Sequence, residues 1–372
     1  MSRVRSRRLV WTLSVLAIPC CRGGNAPESS SAASFPESLD PLFQVLDSIR
    51  LERVGVFGFA LDSIHGVVMQ PDRVEPVGAG GAAILDKHSG ELWWFENEPS
   101  WRSRIRSHGS APGALGSPSD LAVIDDSLLL VMDPGNARIS KFVRRERGLL
   151  PAGEIPHEHG GALCVVGRRL FVNAWIGGDV IHELGPTGEL LRSFGTLPDA
   201  PGSELFGYFQ PYVSARLLAG PFVCVSEPDL VVSVAAGLPT IEAFHLDGSL
   251  AWRTTLEDFN PVIYRTTGNR ALRATFNPET GSHLARSAVR WTQNSLLVQY
   301  ALIHEEILAD DLDRQPVDSR LLDLRTGREI SRSRAWPVIL ARSAEFVYRR
   351  VQSGQTPLVE VSRLRRLYAV SK

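Results

Sequence analysis

The stretch Gly109-Ser110-Ala111-Pro112-Gly113-Ala114-Leu115-Gly116-Ser117-Pro118-Ser119-Asp120-Leu121-Ala122-Val123, taken up again at Leu130-Val131-Met132-Asp133-Pro134-Gly135-Asn136-Ala137-Arg138-Ile139-Ser140-Lys141-Phe142, decides the fold. A loop rich in Gly, Ser and Pro runs into short apolar segments at 121–124 and 128–131, split by polar turn residues. Short β-type runs bounded by turn residues read as strands. The texture continues outward from about Val54, through 82–85, 92–95, 169–172, 230–234, 296–300 and 346–348. Few windows hold a 3.6-residue period, so the domain is all-β.

The turns repeat as well. Asp86-Lys87-His88-Ser89-Gly90, Gly185-Pro186-Thr187-Gly188, Leu246-Asp247-Gly248 and Asp323-Leu324-Arg325-Thr326-Gly327 each place a Gly just ahead of a new strand. Gly there supplies the positive φ of a tight hairpin. A second marker, an aromatic or His followed by Gly, falls at Phe57-Gly58, His108-Gly109 and Phe194-Gly195. Its steps are 51 and 86 residues, and 86 is twice 43. Four strands in a period of about 40–50 residues mark a β-propeller, whose blades bury their faces against one another.

On these residues the stretch 109–142 resembles an NHL repeat. In that family a Gly-rich loop and a Pro lead into the innermost strand, and a V-x-D-x-x-N-x-R-I-x-x-F pattern makes the second and third. The resemblance implies a six-bladed β-propeller of four-stranded antiparallel blades. The expected spans are 64–107, 108–155, 157–195, 210–257, 288–334 and 336–370, with five or seven blades as the alternative count. Residues 53–58 look like an outer strand yet precede the first blade, so they are expected to pair with the last blade and close the ring, removing its open edges. Residues 258–287 break the period and read either as a binding loop or as a plain surface insertion.

The ends of the chain and its composition bound the setting. Of 372 residues, 40 are Lys or Arg and 41 Asp or Glu, which argues against a globally basic nucleic-acid binder. Arg3, Arg5, Arg7 and Arg8 precede an apolar run from 9 to 18, the outline of an export signal over 1–21. Leu16-Ala17-Ile18-Pro19-Cys20-Cys21 resembles a lipobox, making Cys20 or Cys21 the lipidation candidate, with Pro19 where a small residue is usual. Ordinary cleavage to a periplasmic or secreted product is the alternative. Residues 22–49 read as a tether and lead-in, because their Gly, Ser and Pro content cannot support a core, and 50–372 as the propeller. Cys164 and Cys224 sit in apolar runs as small buried hydrophobes, with a single bridge between them left open.

Catalytic motifs are scarce. No P-loop, Rossmann fingerprint, G-x-S-x-G, H-E-x-x-H or C-x-x-C occurs. His65, His159 and His283 precede the innermost strands of alternate blades, which would bring them near the axis as metal candidates for Zn²⁺. NHL-like propellers that cleave peptidyl hydroxyglycines hold zinc on axial histidines, and related propellers include streptogramin lyases and calcium-dependent lactonases. Asp133, Asn136 and the turn Glu227-Pro228-Asp229 are set against backbone satisfaction. Arg363-Leu364-Arg365-Arg366, with Arg102, Arg104 and Arg106, reads as a solvated strand face or an attractor for an anionic partner. The adjacent Trp93 and Trp94 point to opposite faces, so one is expected to remain open to a ligand.

These features predict an exported, monomeric binding protein of the bacterial cell envelope. It would hold a protein, peptide or glycan with its loops and central channel, use no cofactor, bind no nucleic acid and meet the membrane only through a lipid anchor. The alternative is a metal-dependent lyase or hydrolase acting in the channel with Zn or Ca. A third reading is a spacer in a larger envelope assembly that depends on 258–287.

Overall fold

The computed structural model describes residues 49–366 apart from 58–70, 79, 88, 97–100, 106–107, 147, 160, 197–219, 267–271, 305–314 and 354–355. The export signal with Cys20 and Cys21, the tether up to residue 48, and His65 lie outside the described residues.

The chain is a six-bladed β-propeller of four-stranded antiparallel sheets. It begins with β1 (Ile49–Phe57) and then lays down blade one as β2 (Pro71–Val77), β3 (Gly81–Asp86), β4 (Glu91–Phe95) and β5 (Trp101–Ile105). Blade two is β6 (Asp120–Ile124), β7 (Leu128–Asp133), β8 (Arg138–Arg145) and β9 (Gly148–Pro156). Blade three is β10 (Ala162–Val166), β11 (Arg169–Ile176), β12 (Asp179–Leu184) and β13 (Leu190–Thr196). Blade four is β14 (Phe222–Val225), β15 (Leu230–Val234), β16 (Thr240–His245) and β17 (Leu250–Thr255). A separate hairpin, β18 (Ile263–Thr266) and β19 (Leu272–Thr275), precedes blade five: β20 (Ser282–Thr292), β21 (Ser295–Ile303), β22 (Val317–Asp323) and β23 (Glu329–Ser333). Blade six is β24 (Ile339–Arg342), β25 (Phe346–Ser353) and β26 (Thr356–Arg366), completed on its outer edge by β1.

That last pairing closes the ring. β1 runs antiparallel to β26 from Ile49 opposite Arg366 to Phe57 opposite Val359, with a bulge between Arg53 and Gly55. Around the axis, β2, β6, β10, β14, β20 and β24 each touch the next, and β24 returns to β2.

Alternation along each strand sends successive side chains to opposite faces of a blade, and each face meets a different neighbour. Six apolar clusters result among the described residues, one per blade interface. Ile84, Trp93 and Tyr348 join blades one and six; Leu85, Trp94 and Phe142 join one and two. Met132 and Val172 join two and three; Phe171 and Phe244 join three and four. Trp252 and Leu322 join four and five; Trp291 and Ile339 join five and six. Trp93 and Trp94 therefore occupy different interfaces and are only 2% and 1% exposed. The expectation that one stays open to ligand is corrected: in a propeller both faces of a blade are interior.

Two other expectations change. The turn at 86–90 joins the second and third strands of its blade, whereas those at 185–188, 246–248 and 323–327 join third to fourth. Asp86 ends its second strand as Asp133 does, and its Oδ1 accepts the Ser89 N–H at 3.0 Å. Within 258–287, residues from Ser282 onward belong to β20, which pairs with β21 as far as Ile303. Buried polar residues on this longer strand, among them His283 and Ser287, masked it as loop. The third-to-fourth turns need glycine for space as well as for φ. A Cβ on Gly327, at φ +70°, would stand 2.4 Å from the Trp252 ring of the preceding blade.

Charge is buried in a repeating way. Glu91, Glu183, Glu242, Asp318 and Glu360 lie buried on the third strands of blades one, three, four, five and six. Each is gripped by an Arg from an adjoining strand: Arg104 at 2.6 Å, Arg169 at 2.7 Å, Arg253 at 2.5 Å, Arg332 at 2.7 Å and Arg349 at 2.6 Å. Blade two reverses the order, with Arg138 on its third strand and Glu154 on its fourth. Asp318 carries the densest set, also meeting Arg320 at 3.0 Å. Burial alone would raise its carboxyl, but hydrogen bonds from His283 and Arg332 and the Arg320 charge hold it below the ordinary carboxylate range.

Removing one partner from such a buried set leaves charge uncompensated and costs about 3–5 kcal/mol. Asp318→Asn is expected to lower unfolding stability by that amount in urea at pH 7. Because the folded value is depressed, the contribution is complete above the unfolded value near pH 4 and disappears as pH falls through the folded one. The variant should therefore show a shallower loss of stability below about pH 4 than the parent; equal slopes would rule out this role.

Candidate functional site

Every blade enters on its innermost strand, so six strands run side by side around the axis. They enclose a cavity of about 420 Å³ lined by all six: Arg73 and Glu75 on β2, Asp120 on β6, Cys164 on β10, Cys224 on β14, Arg290 on β20 and Arg342 on β24. The channel has a leading end, where β2 and β6 begin, and a trailing end, where β20 and β24 finish.

At the leading end Arg73 Nε lies 2.8 Å from Asp120 Oδ1, and Asp120 Oδ2 accepts the Leu163 N–H at 2.9 Å. One carboxylate thus ties blade one to blade three across blade two. Farther along, burial pushes the Glu75 carboxyl up to about 8; Asp120 adds to the rise and Arg73 opposes it. At pH 7 Glu75 is mostly protonated. Burial raises the Asp72 carboxyl, opposed by Lys87, Arg350 and Arg286, and burial lowers the Lys87 amine, with Arg73 adding to the fall and Asp120 and Asp72 opposing it.

The trailing end is basic. Arg290 donates through Nη2 to Glu227 O at 3.1 Å and through Nη1 to Ser226 Oγ at 3.4 Å. Arg342 is buried, with its guanidinium carbon 4.6 Å from the centre of the Trp291 ring. Burial draws Arg290 below its usual value, with Glu227 opposing the fall, and Arg342 down to about 9, which leaves Arg342 cationic at neutral pH.

Midway along the wall, Cys164 and Cys224 form a disulfide, with Cα atoms 5.4 Å apart and a sequence separation of 60. The open question is answered in favour of the bridge, and the small-hydrophobe role is corrected. The two residues occupy the middles of neighbouring innermost strands, where side chains of adjacent blades meet.

Two of the three proposed metal histidines, His159 and His283, lie among the described residues. His283 is buried in blade five: its Nδ1 accepts the Asn260 N–H at 2.9 Å, Nε2 sits 3.3 Å from Asp318 and the ring stacks on Phe259. His159 is exposed on the loop before β10, its ring 6.0 Å from that of His157. Burial, with the nearby His159 and His182, lowers His157 to about 4, so it is neutral at pH 7. His65 lies outside the described residues, which contain no group of three or more His, Cys, Asp or Glu placed to hold a metal ion.

Asp133 and Asn136 act on backbone. Asp133 accepts the Gly116 and Ser117 N–H groups, both at 2.9 Å, and Asn136 donates to Gly109 O at 2.8 Å. Arg138 donates to Ala111 O and Ala114 O at 3.0 and 2.8 Å. Together the three fix the loop that leads into β6. The channel residues Arg73, Glu75, Arg290 and Arg342 were missed in sequence. Their signal is a charge inside a short innermost-strand run (Arg73-Val74-Glu75, Val289-Arg290, Ala341-Arg342), where an apolar residue would otherwise stand.

Cross-linking a loop of this length removes up to about 4 kcal/mol of unfolded-state entropy. Replacing both cysteines, as Cys164→Ser with Cys224→Ser, is expected to cost about 2–4 kcal/mol in equilibrium urea unfolding and to leave circular dichroism unchanged. A midpoint equal to the parent's would show that the bridge adds nothing to stability.

No family model matches the chain, and no curated protein matches it either. Among solved structures it resembles a protein from Bacteroides fragilis assigned as exported, with a TM-score of 0.57 and 11% identity over 86% of this chain and 96% of that one. It also resembles a member of the DUF4221 family from Bacteroides vulgatus, with a TM-score of 0.55 and 10% identity over 86% of this chain and 99% of the other. At such identities the likeness is one of fold.

Proposed function

We propose that this chain is an exported binding propeller of the cell envelope, which holds a protein, peptide or glycan partner at its central channel and the loops around it. The observation that carries this reading is the channel itself. An open cavity of about 420 Å³ keeps charged side chains from four blades on its wall. Filling that space with apolar side chains would suit stability better, because burying charge costs free energy that only pairing or a ligand returns. Ligand sites favour such concave places, with a few polar groups set among apolar ones.

Export is supported by three further observations. The N-terminus carries a basic, then apolar, segment with the features of a signal peptide. The disulfide Cys164–Cys224 is of a kind that forms and persists in oxidising compartments. One protein of similar fold is assigned as exported. Lipidation at Cys20 or Cys21 would hold the domain at a membrane surface on the segment that follows.

Glycan and peptide arrays probed with the full chain test the binding role. A defined set of ligands is expected, and Ser226→Trp, an exposed position at the trailing mouth, should weaken them by about tenfold or more without lowering the melting temperature. Absence of any retained ligand, or turnover of a bound one, would overturn the reading. Labelling with a fatty-acid analogue should mark the parent and be lost with Cys20→Ser or Cys21→Ser; an unlabelled parent would leave a soluble exported protein.

A further inference from the structure

The channel wall holds a bond that can exchange. Cys164 and Cys224 both line the cavity of about 420 Å³, so their bridge borders the passage instead of lying inside a sealed core. The two residues are not equivalent. Cys164 is 7% exposed and belongs to the apolar cluster of blades three and four with Phe171 and Phe222, whereas Cys224, at the margin of that cluster, is partly exposed. The strands that carry them, β10 and β14, belong to different sheets and share no backbone ladder. Among the described residues the bridge is the covalent link between these two blades. A disulfide exchanges only with a thiolate that can touch one of its sulfurs, so access decides which thiols react. Here access runs through the channel, whose volume is that of a small-molecule site and leaves no room for the active-site surface of a protein oxidoreductase.

We propose that Cys164–Cys224 is a thiol–disulfide exchange site reached through the channel, which takes low-molecular-mass thiols at Cys224 and excludes thiols carried on macromolecules. The incoming thiolate attacks Cys224 Sγ. The S–S bond breaks, and its electron pair leaves on Cys164 Sγ, which takes a proton from water. A second small thiolate attacks the resulting mixed disulfide, releases Cys224 as a thiol and departs as part of a small-molecule disulfide. Two electrons thus pass to the bridge, two thiols become one disulfide, and the protons they gave up end on the two cysteines. In the dithiol form side-chain packing alone holds β10 against β14, so the wall loosens between blades three and four as the supply of small thiols rises. The inference uses the cavity alone and does not require that a partner bind there.

Reduction of the folded full chain without denaturant tests this, with 2-mercaptoethanol compared against a thiol-bearing dextran, and alkylation with peptide mass mapping reporting Cys164 and Cys224. With 2-mercaptoethanol the rate is expected to rise linearly with thiol concentration and to exceed the global unfolding rate in the same buffer by about tenfold or more. The dextran thiol should be at least about tenfold slower per thiol group. A rate that equals the unfolding rate at every thiol concentration, or one that is the same for both reagents, would overturn the inference. Two single variants, each checked for parent-like circular dichroism, test the asymmetry. Cys164→Ser treated with 2-hydroxyethyl disulfide should form a mixed disulfide at Cys224, and Cys224→Ser should form one at Cys164 about tenfold more slowly. Equal rates would remove Cys224 as the point of attack. Amide exchange of β10 and β14 should quicken in the reduced protein while that of β2 and β24 keeps its parent rate; unchanged exchange in β10 and β14 would refute the loosening of the wall.

Discussion

Apolar contact between neighbouring blades is the constraint on which the rest of the structure depends. A four-stranded sheet of this size has two faces and no helix to cover either, and an isolated sheet of that kind could not shield its apolar side chains from water. Stacking six of them in a ring solves this twice over, because each blade lends one face to each neighbour. Trp93 and Trp94 show the result in two residues: adjacent in sequence, they serve two interfaces. The ring must also close. If β1 did not pair with β26, the third strand of blade six would present a bare edge. The first strand of the domain therefore sits in its last blade.

Polar groups are admitted to these interfaces only where they are matched. The third-strand carboxylates are each held by an Arg of their own blade, so each blade carries its charge pair internally and presents a nearly neutral face to its neighbour. Latches then cross between blades. Trp252 Nε1 donates to Leu324 O at 2.7 Å, Tyr348 Oη to Gly81 O at 2.8 Å, and Thr254 Oγ1 to Gly327 O at 2.7 Å. Such bonds add little net stability individually, about 0.5–1.5 kcal/mol, yet a mispaired one would be costly, so they fix the register in which blades stack.

Sequence carried the architecture because its determinants are local. Gly at hairpin positions, short β runs and the 43-residue step are all readable within one blade, and the stretch 109–142 shows a whole unit at once. What escaped was whatever depends on the neighbouring blade. The fate of Trp93 and Trp94 needs the second interface. The pairing of Cys164 with Cys224 needs the contact of two innermost strands. The longer β20 was hidden because Ser287 is polar, and its Oγ–H is satisfied by Gln299 Oε1 at 3.0 Å, a residue twelve positions away on the paired strand. His283 looked like a ligand for the same reason: its partners Asn260 and Asp318 lie 23 and 35 residues from it. The channel charges were hardest, since nothing in a single strand tells an axis-facing Arg from a solvent-facing one.

The innermost strands also explain why the axis cannot be dry. Each is the edge of its sheet, with backbone N–H and C=O groups that no further strand pairs, and buried groups of this kind require partners. In places side chains of a neighbouring blade provide them. Gln299 of blade five accepts from Ile339 N at 2.6 Å and donates to Pro337 O at 2.9 Å, and Asp120 of blade two accepts from Leu163 N of blade three. Elsewhere the edges face the cavity, and water or a ligand must meet them. Closing the ring therefore produces a polar, hydrated passage as a geometric consequence. The charged residues on its wall add a direction to that passage: a leading end where Arg73 pairs with Asp120, and a trailing end that carries Arg290 and Arg342. An axis that is polar in any case can carry a few charged side chains without any change to the apolar faces between blades, so the wall can vary while the core stays the same.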